Sequence, residues 1–179
     1  MMIIALSGLS GCGKNSVGGL LARELGMRTV QMSFKEEAQR RGVSLMDLQA
    51  MADADPEFDR KLDASIVAEA AKGDCVVMTW LGPWKVQADL RVWLNAGERE
   101  RAKRVAERDG MAPAAAVAHV RKRDADNIAR YKKYYGIDIL NHSGFDLEVN
   151  TERLAPEQSS EIIACAAKAL DAKKGKRAE

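Results

Sequence analysis

Apolar and polar positions along the chain fall into blocks that switch repeatedly between continuous runs and a helical period. The first block, Met2-Ile3-Ile4-Ala5-Leu6, is continuously apolar and predicts a strand covered on both faces. Val17, Leu20, Leu21, Glu24 and Leu25 then recur at the spacing of a buried stripe, and Gly26 suits a C-terminal cap, so the pattern predicts a helix over residues 17–25. Residues 28–32 read as a second strand. A charged helical region is expected over 34–42, and Ser44 opens another helix with Asp47 as its capping partner. Pro56 suits the first turn of a helix that runs to about Lys72 and ends at Gly73.

The second half repeats the alternation. Cys75-Val76-Val77-Met78-Thr79 predicts a buried strand, followed by a loop over 80–84. A strand is expected over 88–94 and a charged helix over 98–108, closed by Gly110. Residues 145–149 alternate as a final strand, 156–170 form the last helix, and 171–179 read as a basic tail with no need of order. Strands alternating with helices imply an α/β fold, a mainly parallel sheet with helices on both faces. Ligands bind outside the carboxyl ends of such strands. Residues 8–16 and the segments after Met32 and Thr79 therefore converge on one cleft.

Size and composition change this picture little. The 179 residues fit one domain, and 46% hydrophobic with 30% charged residues suits a globular chain. A net charge of +2 gives no argument for a nucleic-acid or membrane partner. Cys12, Cys75 and Cys165 form neither a disulfide framework nor a zinc pattern, and Cys75 and Cys165 are expected to be buried thiols. The N-terminal apolar run is too short for a signal or membrane-spanning segment, so a cytoplasmic location is expected.

Candidate chemistry begins directly behind the first strand, at Gly8-Leu9-Ser10-Gly11-Cys12-Gly13-Lys14-Asn15-Ser16. A strand, a glycine-rich turn, a lysine and a helix make a phosphate-binding loop. Glycines let backbone N–H groups face phosphate oxygens, and the helix adds the positive end of its dipole. Lys14 would reach the β- and γ-phosphates of a nucleoside triphosphate. The pattern asks for Ser or Thr after the lysine, to ligate Mg²⁺, and Asn15 stands there. The candidate metal ligands are thus the Asn15 amide oxygen and the next hydroxyl, Ser16.

A second constellation is the cation-dense stretch from Arg121 to Lys133. Arg123 and Arg130 are seven residues apart and would share a helix face. Alone this reads as a solvated face. Beside a phosphate loop it reads as a lid, because phosphoryl transfer needs cations over the equatorial oxygens and arginine offers a fixed donor fork.

At this point the chain resembles the archaeal-type cytidylate kinases. The resemblance rests on the phosphate loop, Asp55-Pro56-Glu57-Phe58-Asp59, Arg121-Lys122-Arg123, the run from Arg130 to Ile139, and Phe145 to Thr151. It extends to about Leu170. It implies a P-loop nucleoside monophosphate kinase that moves the ATP γ-phosphate onto CMP or dCMP with Mg²⁺. It further implies a core (1–32, 73–110 and 136–170), a helical monophosphate-binding insertion (about 33–72) and a lid (about 111–135). By the same resemblance Lys14, Arg121, Arg123 and Arg130 belong to the catalytic machinery.

The departures from that family cluster on the acceptor side. Its Ser-x-Gly-x-x-Phe-Arg segment is shortened here to Gln31-Met32-Ser33-Phe34-Lys35, so a point charge replaces a clamping fork. An Arg-Gln pair appears as Ala64-Ser65, and the Glu-Gly-Arg or Glu-Ser-Arg that ends the third strand appears as Thr79-Trp80. The residues left to meet an acceptor are Lys35, Asp59, Asp63, Thr79 and Trp84, with Asp59 and Asp63 placed to receive a pyrimidine amino group. Two readings follow: a working kinase for CMP, dCMP or a related small acceptor, or a weak or silent relative that binds a nucleotide and acts through interaction.

Other residues carry less. His119 and His142 have no partner at metal-ligand spacing. Trp93 reads as core, whereas Trp80 or Trp84, flanking Gly82-Pro83, could stack on a base. Asp138 suits a turn, and the lysines of the tail suit a solubilising end.

Overall fold

The computed structural model describes residues 1–31, 37–38, 41–44, 47–48, 51 and 56–178. Five parallel strands form one sheet in the order β2-β3-β1-β4-β5: β1 (Ile3–Ser7), β2 (Arg28–Val30), β3 (Cys75–Met78), β4 (Leu90–Asn95) and β5 (Leu147–Asn150). Between them run α1 (Lys14–Leu25), α2 (Pro56–Ala70), the short α3 (Gly82–Lys85), α4 (Glu98–Asp109) and α5 (Pro113–Tyr135), and α6 (Pro156–Ala178) closes the chain. The expected α/β architecture is the observed one.

Strand periodicity sorts the core into two layers. Ile4 and Leu6 of β1 join Leu21 of α1, Val92 and Leu94 of β4 and Ile163 of α6 in one cluster. Ile3 and Ala5 point the other way, onto Val30, Ile66 of α2, Val77 and Val86. Because β1 is central and flanked by β3 and β4, its carboxyl end opens onto the crevice where the sheet order reverses, which is where the loop after Ser7 lies. No helix among the described residues is long and apolar enough to cross a membrane.

Several boundaries differ from the expectations. The first helix starts at Lys14 rather than at residue 17, because Gly13 adopts a left-handed φ of 88° and lets the chain turn straight into it. Residues 82–84 of the loop expected over 80–84 form a helical turn together with Lys85, and Pro83 at its second position brings a fixed φ suited to a first helical turn. The backbone of α6 continues to Ala178, so the stretch expected as tail is helical through that residue. Cys165 is exposed on α6, contrary to expectation, since its neighbours Ile163, Ala164 and Ala167 hold the buried stripe. The Ser44 cap is as expected: its Oγ accepts the Asp47 N–H at 3.1 Å. The helix expected over 34–42 falls mainly outside the described residues.

Candidate active site

The glycines of residues 8–13 take backbone shapes that side chains resist. Gly8, Gly11 and Gly13 have φ of 152°, 78° and 88°. A Cβ on Gly8 would sit 2.4 Å from the Leu94 carbonyl oxygen, and one on Gly11 would sit 2.5 Å from that of Arg101. The loop is therefore pressed against β4 and α4, and only glycine fits at these points. Lys14, first residue of α1, folds back so that Nζ donates to the Gly8 carbonyl at 3.0 Å. No side chain caps α1, which leaves its first N–H groups to a ligand. Asn15 and Ser16 are both exposed on this first turn.

Three elements hold the loop from behind. The Thr151 hydroxyl, just past β5, donates to the Cys12 carbonyl at 2.8 Å. Arg104 of α4 in turn donates to the Thr151 hydroxyl at 3.2 Å and to its carbonyl at 2.6 Å. On the other flank the Ser10 N–H donates to Asp124 Oδ1 at 3.0 Å, and Arg101 Nη1 donates to the Ser10 carbonyl at 2.8 Å. Arg101 Nη1 also reaches Asp124 Oδ2 at 2.6 Å. Arg101 and Asp124 are buried at 6% and 7% exposure.

The arginines expected to form a lid lie on one unbroken helix, α5, ended by Gly136 at φ 67°. Its first half is anchored: Ala116 and Val120 pack on Ala102 and Val105 of α4. Arg121 gives two hydrogen bonds to Glu98 Oε1, at 2.9 and 2.7 Å, and these bonds hold the Glu98 carboxyl below its usual range. Arg123 is exposed. Arg130 precedes Tyr131, whose ring lies 6.2 Å from that of Trp80. Trp80 in turn lies 5.4 Å from Lys14 Nζ, so the far half of α5 arches toward the phosphate loop.

Arg60, Asp63, Ala64 and Val67 of α2, Lys85 of α3 and Tyr134 with Tyr135 of α5 line an open cleft of about 500 Å³. Lys85 Nζ stands 3.6 Å from the Tyr135 ring centre, and burial pushes its pKa down despite the nearby Asp63 carboxylate. Thr79 follows β3 directly, with Oγ1 3.0 Å from the position of a Cβ on Gly82. Trp84 is not at this cleft. It packs edge-on against Trp93 and Phe145 at 6.5 and 5.1 Å, and Trp80 is the tryptophan beside the phosphate loop. Lys35 and the Asp59 side chain lie outside the described residues.

The cradle fits a nucleotide phosphate and its counter-ion. Ser10 Oγ and Thr79 Oγ1 are buried without a hydrogen-bond partner, polar atoms that phosphate oxygens or ordered water would satisfy. Asn15 and Ser16 offer neutral oxygen donors, which suit a hard cation already carried by phosphates. Among the described residues no group of His, Cys, Asp and Glu is arranged to hold a metal by itself.

Sequence reasoning missed Arg101, Arg104, Asp124 and Thr151. One signal was present for Asp124: it continues the stripe Ala116–Val120 at a spacing of four, which places a carboxylate on the buried face of α5. The partners of that carboxylate are remote in sequence, and no local pattern gives them.

Comparison with known proteins bears on this geometry. A model of the cytidylate kinase-like family matches residues 3–153. The cytidylate kinase of Ignicoccus hospitalis is 40% identical over 167 residues, covering 91% of this chain and 97% of its own. That of Pyrococcus horikoshii is 36% identical over 173 residues, covering 95% of this chain and 90% of its own. Among solved structures, the shikimate kinase from Acinetobacter baumannii in complex with shikimate aligns over 94% of both chains with a TM-score of 0.62. Its 18% identity makes this a likeness of fold.

Proposed function

This chain belongs to the cytidylate kinase-like family, and from that premise we propose that it is an ATP-dependent phosphotransferase that moves the γ-phosphate of ATP onto CMP or dCMP. The observation that carries the reading is the glycine loop opening onto an uncapped α1, with Lys14 folded over it, in a chain whose relatives are cytidylate kinases.

The triphosphate lies along residues 8–16, where backbone N–H groups and Lys14 meet its oxygens. Lys14 exchanges the Gly8 carbonyl for phosphate. Asn15 and Ser16 are the side chains that would hold Mg²⁺, which supplies charge neutralisation on the β- and γ-oxygens when bound. The acceptor sits in the cleft between α2, α3 and the end of α5. Lys85 and Arg60 there supply positive charge that the family's arginines would otherwise carry, and Asp63 accepts the amino group of a cytosine. The Thr79 hydroxyl, unpartnered just past the carboxyl end of β3, serves the acceptor side.

In the transfer an oxygen of the acceptor phosphate bonds to the γ-phosphorus as the bond to the β–γ bridging oxygen breaks. ADP leaves with that electron pair. Arg123 and Arg130, and Arg121 once released from Glu98, close over the transferring group and exclude water. Positioning and charge carry this chemistry, so no strong base is required.

The test is ADP release from Mg-ATP with CMP, dCMP, UMP, AMP or GMP as sole acceptor. Release with CMP or dCMP above the others is expected. Preference for another monophosphate would keep the kinase and change the acceptor. Silence with all of them, while ATP still raises the melting temperature, would instead favour a nucleotide-binding relative without turnover.

A further inference from the structure

The phosphate loop is built from residues that resist order. Glycines at 8, 11 and 13 give it a wide range of backbone shapes, and its local restraints are the Cys12 N–H on the Leu9 carbonyl and Lys14 Nζ on the Gly8 carbonyl, a bond that phosphate would draw away. Something outside the loop must hold the shape that receives phosphate. The Ser10 peptide lies between the first two of these glycines, and both its N–H and its C=O are engaged by residues far away in the chain: Asp124 Oδ1 at 3.0 Å and Arg101 Nη1 at 2.8 Å. The two side chains close on each other at 2.6 Å. Arg101 also abuts the next residue of the loop, since its carbonyl oxygen would lie 2.5 Å from a Cβ on Gly11.

A buried charge pair of this kind contributes little net stability, because two ions leave water to form it. Its value lies in direction. We propose that Asp124, together with Arg101, is a positioning pair for the phosphate loop, through which the lid helix α5 fixes the Ser10 peptide and so holds the loop in its nucleotide-receiving shape. Asp124 lies six residues before Arg130 on the same helix, so one rigid element sets both the floor under the phosphates and the arginines above them. This inference rests on the phosphate loop binding a nucleotide and is independent of which acceptor is phosphorylated.

The experiment compares wild type with Asp124→Asn and with the double variant Arg101→Met, Asp124→Leu. It reads melting temperature without ligand, ADP affinity by calorimetry, and KM for ATP apart from kcat. The double variant removes the buried ion pair without leaving a lone charge, so the chain should still fold, with a melting temperature lowered by the Ser10 N–H and C=O left unpaired. Its ADP affinity should fall by roughly ten- to a hundredfold, with KM for ATP rising, as expected for a misplaced loop. Asp124→Asn keeps an acceptor for the Ser10 N–H and loses the negative charge that faces Arg101, so it should weaken ADP by a smaller factor. Wild-type ADP affinity in a folded double variant overturns the proposal. If the double variant does not fold, wild-type affinity in Asp124→Asn overturns it equally. A wild type that binds ADP but phosphorylates no monophosphate sinks the kinase assignment and leaves this inference to be decided by ADP affinity alone.

Discussion

The Lys14 ammonium lies 5.4 Å from the centre of the Trp80 ring while donating to the carbonyl of Gly8. Indole emission is sensitive to a nearby cation, and phosphate would draw Lys14 to itself. Addition of ADP should therefore change the intrinsic fluorescence. The change should vanish in Trp80→Phe and persist in Trp84→Phe, because Trp84 is packed on Trp93 and Phe145. A signal unaffected by Trp80→Phe would place the phosphates elsewhere. Lys14→Ala should abolish transfer altogether, and near-normal turnover there would contradict the reading of the loop.

Arg121 and Arg130 occupy different situations on α5, and their variants should differ. Arg130 adjoins the Tyr131–Trp80 contact over the loop, so Arg130→Ala should lower kcat by about a thousandfold with a smaller effect on ATP affinity. Arg121 is bonded to Glu98 in the present conformation. If it leaves Glu98 on closure, Arg121→Ala slows turnover while Glu98→Ala does not. Equal, small effects from both variants would reduce Arg121 to a surface ion pair.

Asn15 stands where a hydroxyl would meet the metal, exposed in the first turn of α1. Asn15→Ser should lower the Mg²⁺ concentration needed for half-maximal turnover if the amide is the weaker ligand. A higher requirement would mark the amide oxygen as the ligand this chain uses. Identical Mg²⁺ curves would remove residue 15 from the metal site.

Burial pushes the Cys75 thiol above its ordinary value of 9.0, and its sulfur contacts the Ala70 carbonyl at 3.7 Å. The folded-state pKa is raised, so the unfolded chain loses this proton first as pH rises. The contribution is thus whole below pH 9.0 and is lost as pH climbs through the raised value. Urea unfolding at about pH 8 and about pH 10 should show a larger loss of stability in wild type than in Cys75→Ala. Equal losses would remove Cys75 from the alkaline limb.

Local pattern alone determined the order of strands and helices, the glycine-rich loop at residues 8–16 and the cation-dense stretch from Arg121, because each is written in a run of neighbours. The apolar run at residues 75–78 is too short for a helix and follows Gly73, so it reads as a buried strand, and glycines before a lysine permit the positive φ values that a phosphate-binding turn needs. The loop expected over 80–84 failed for the opposite reason: whether Gly82-Pro83-Trp84-Lys85 turns helical is decided by its packing against α2 and β1. The tertiary structure alone decided which tryptophan lies beside Lys14 and the glycine loop. Trp80 and Trp84 are equivalent in the sequence, and the partners Tyr131, Trp93 and Phe145 that separate them come from distant elements. It also decided that Asp124 and Arg101 grip Ser10, 114 and 91 residues away along the chain. A hydrogen bond across such a separation has no periodicity to announce it, and it exists only once α4 and α5 pack side by side behind the loop.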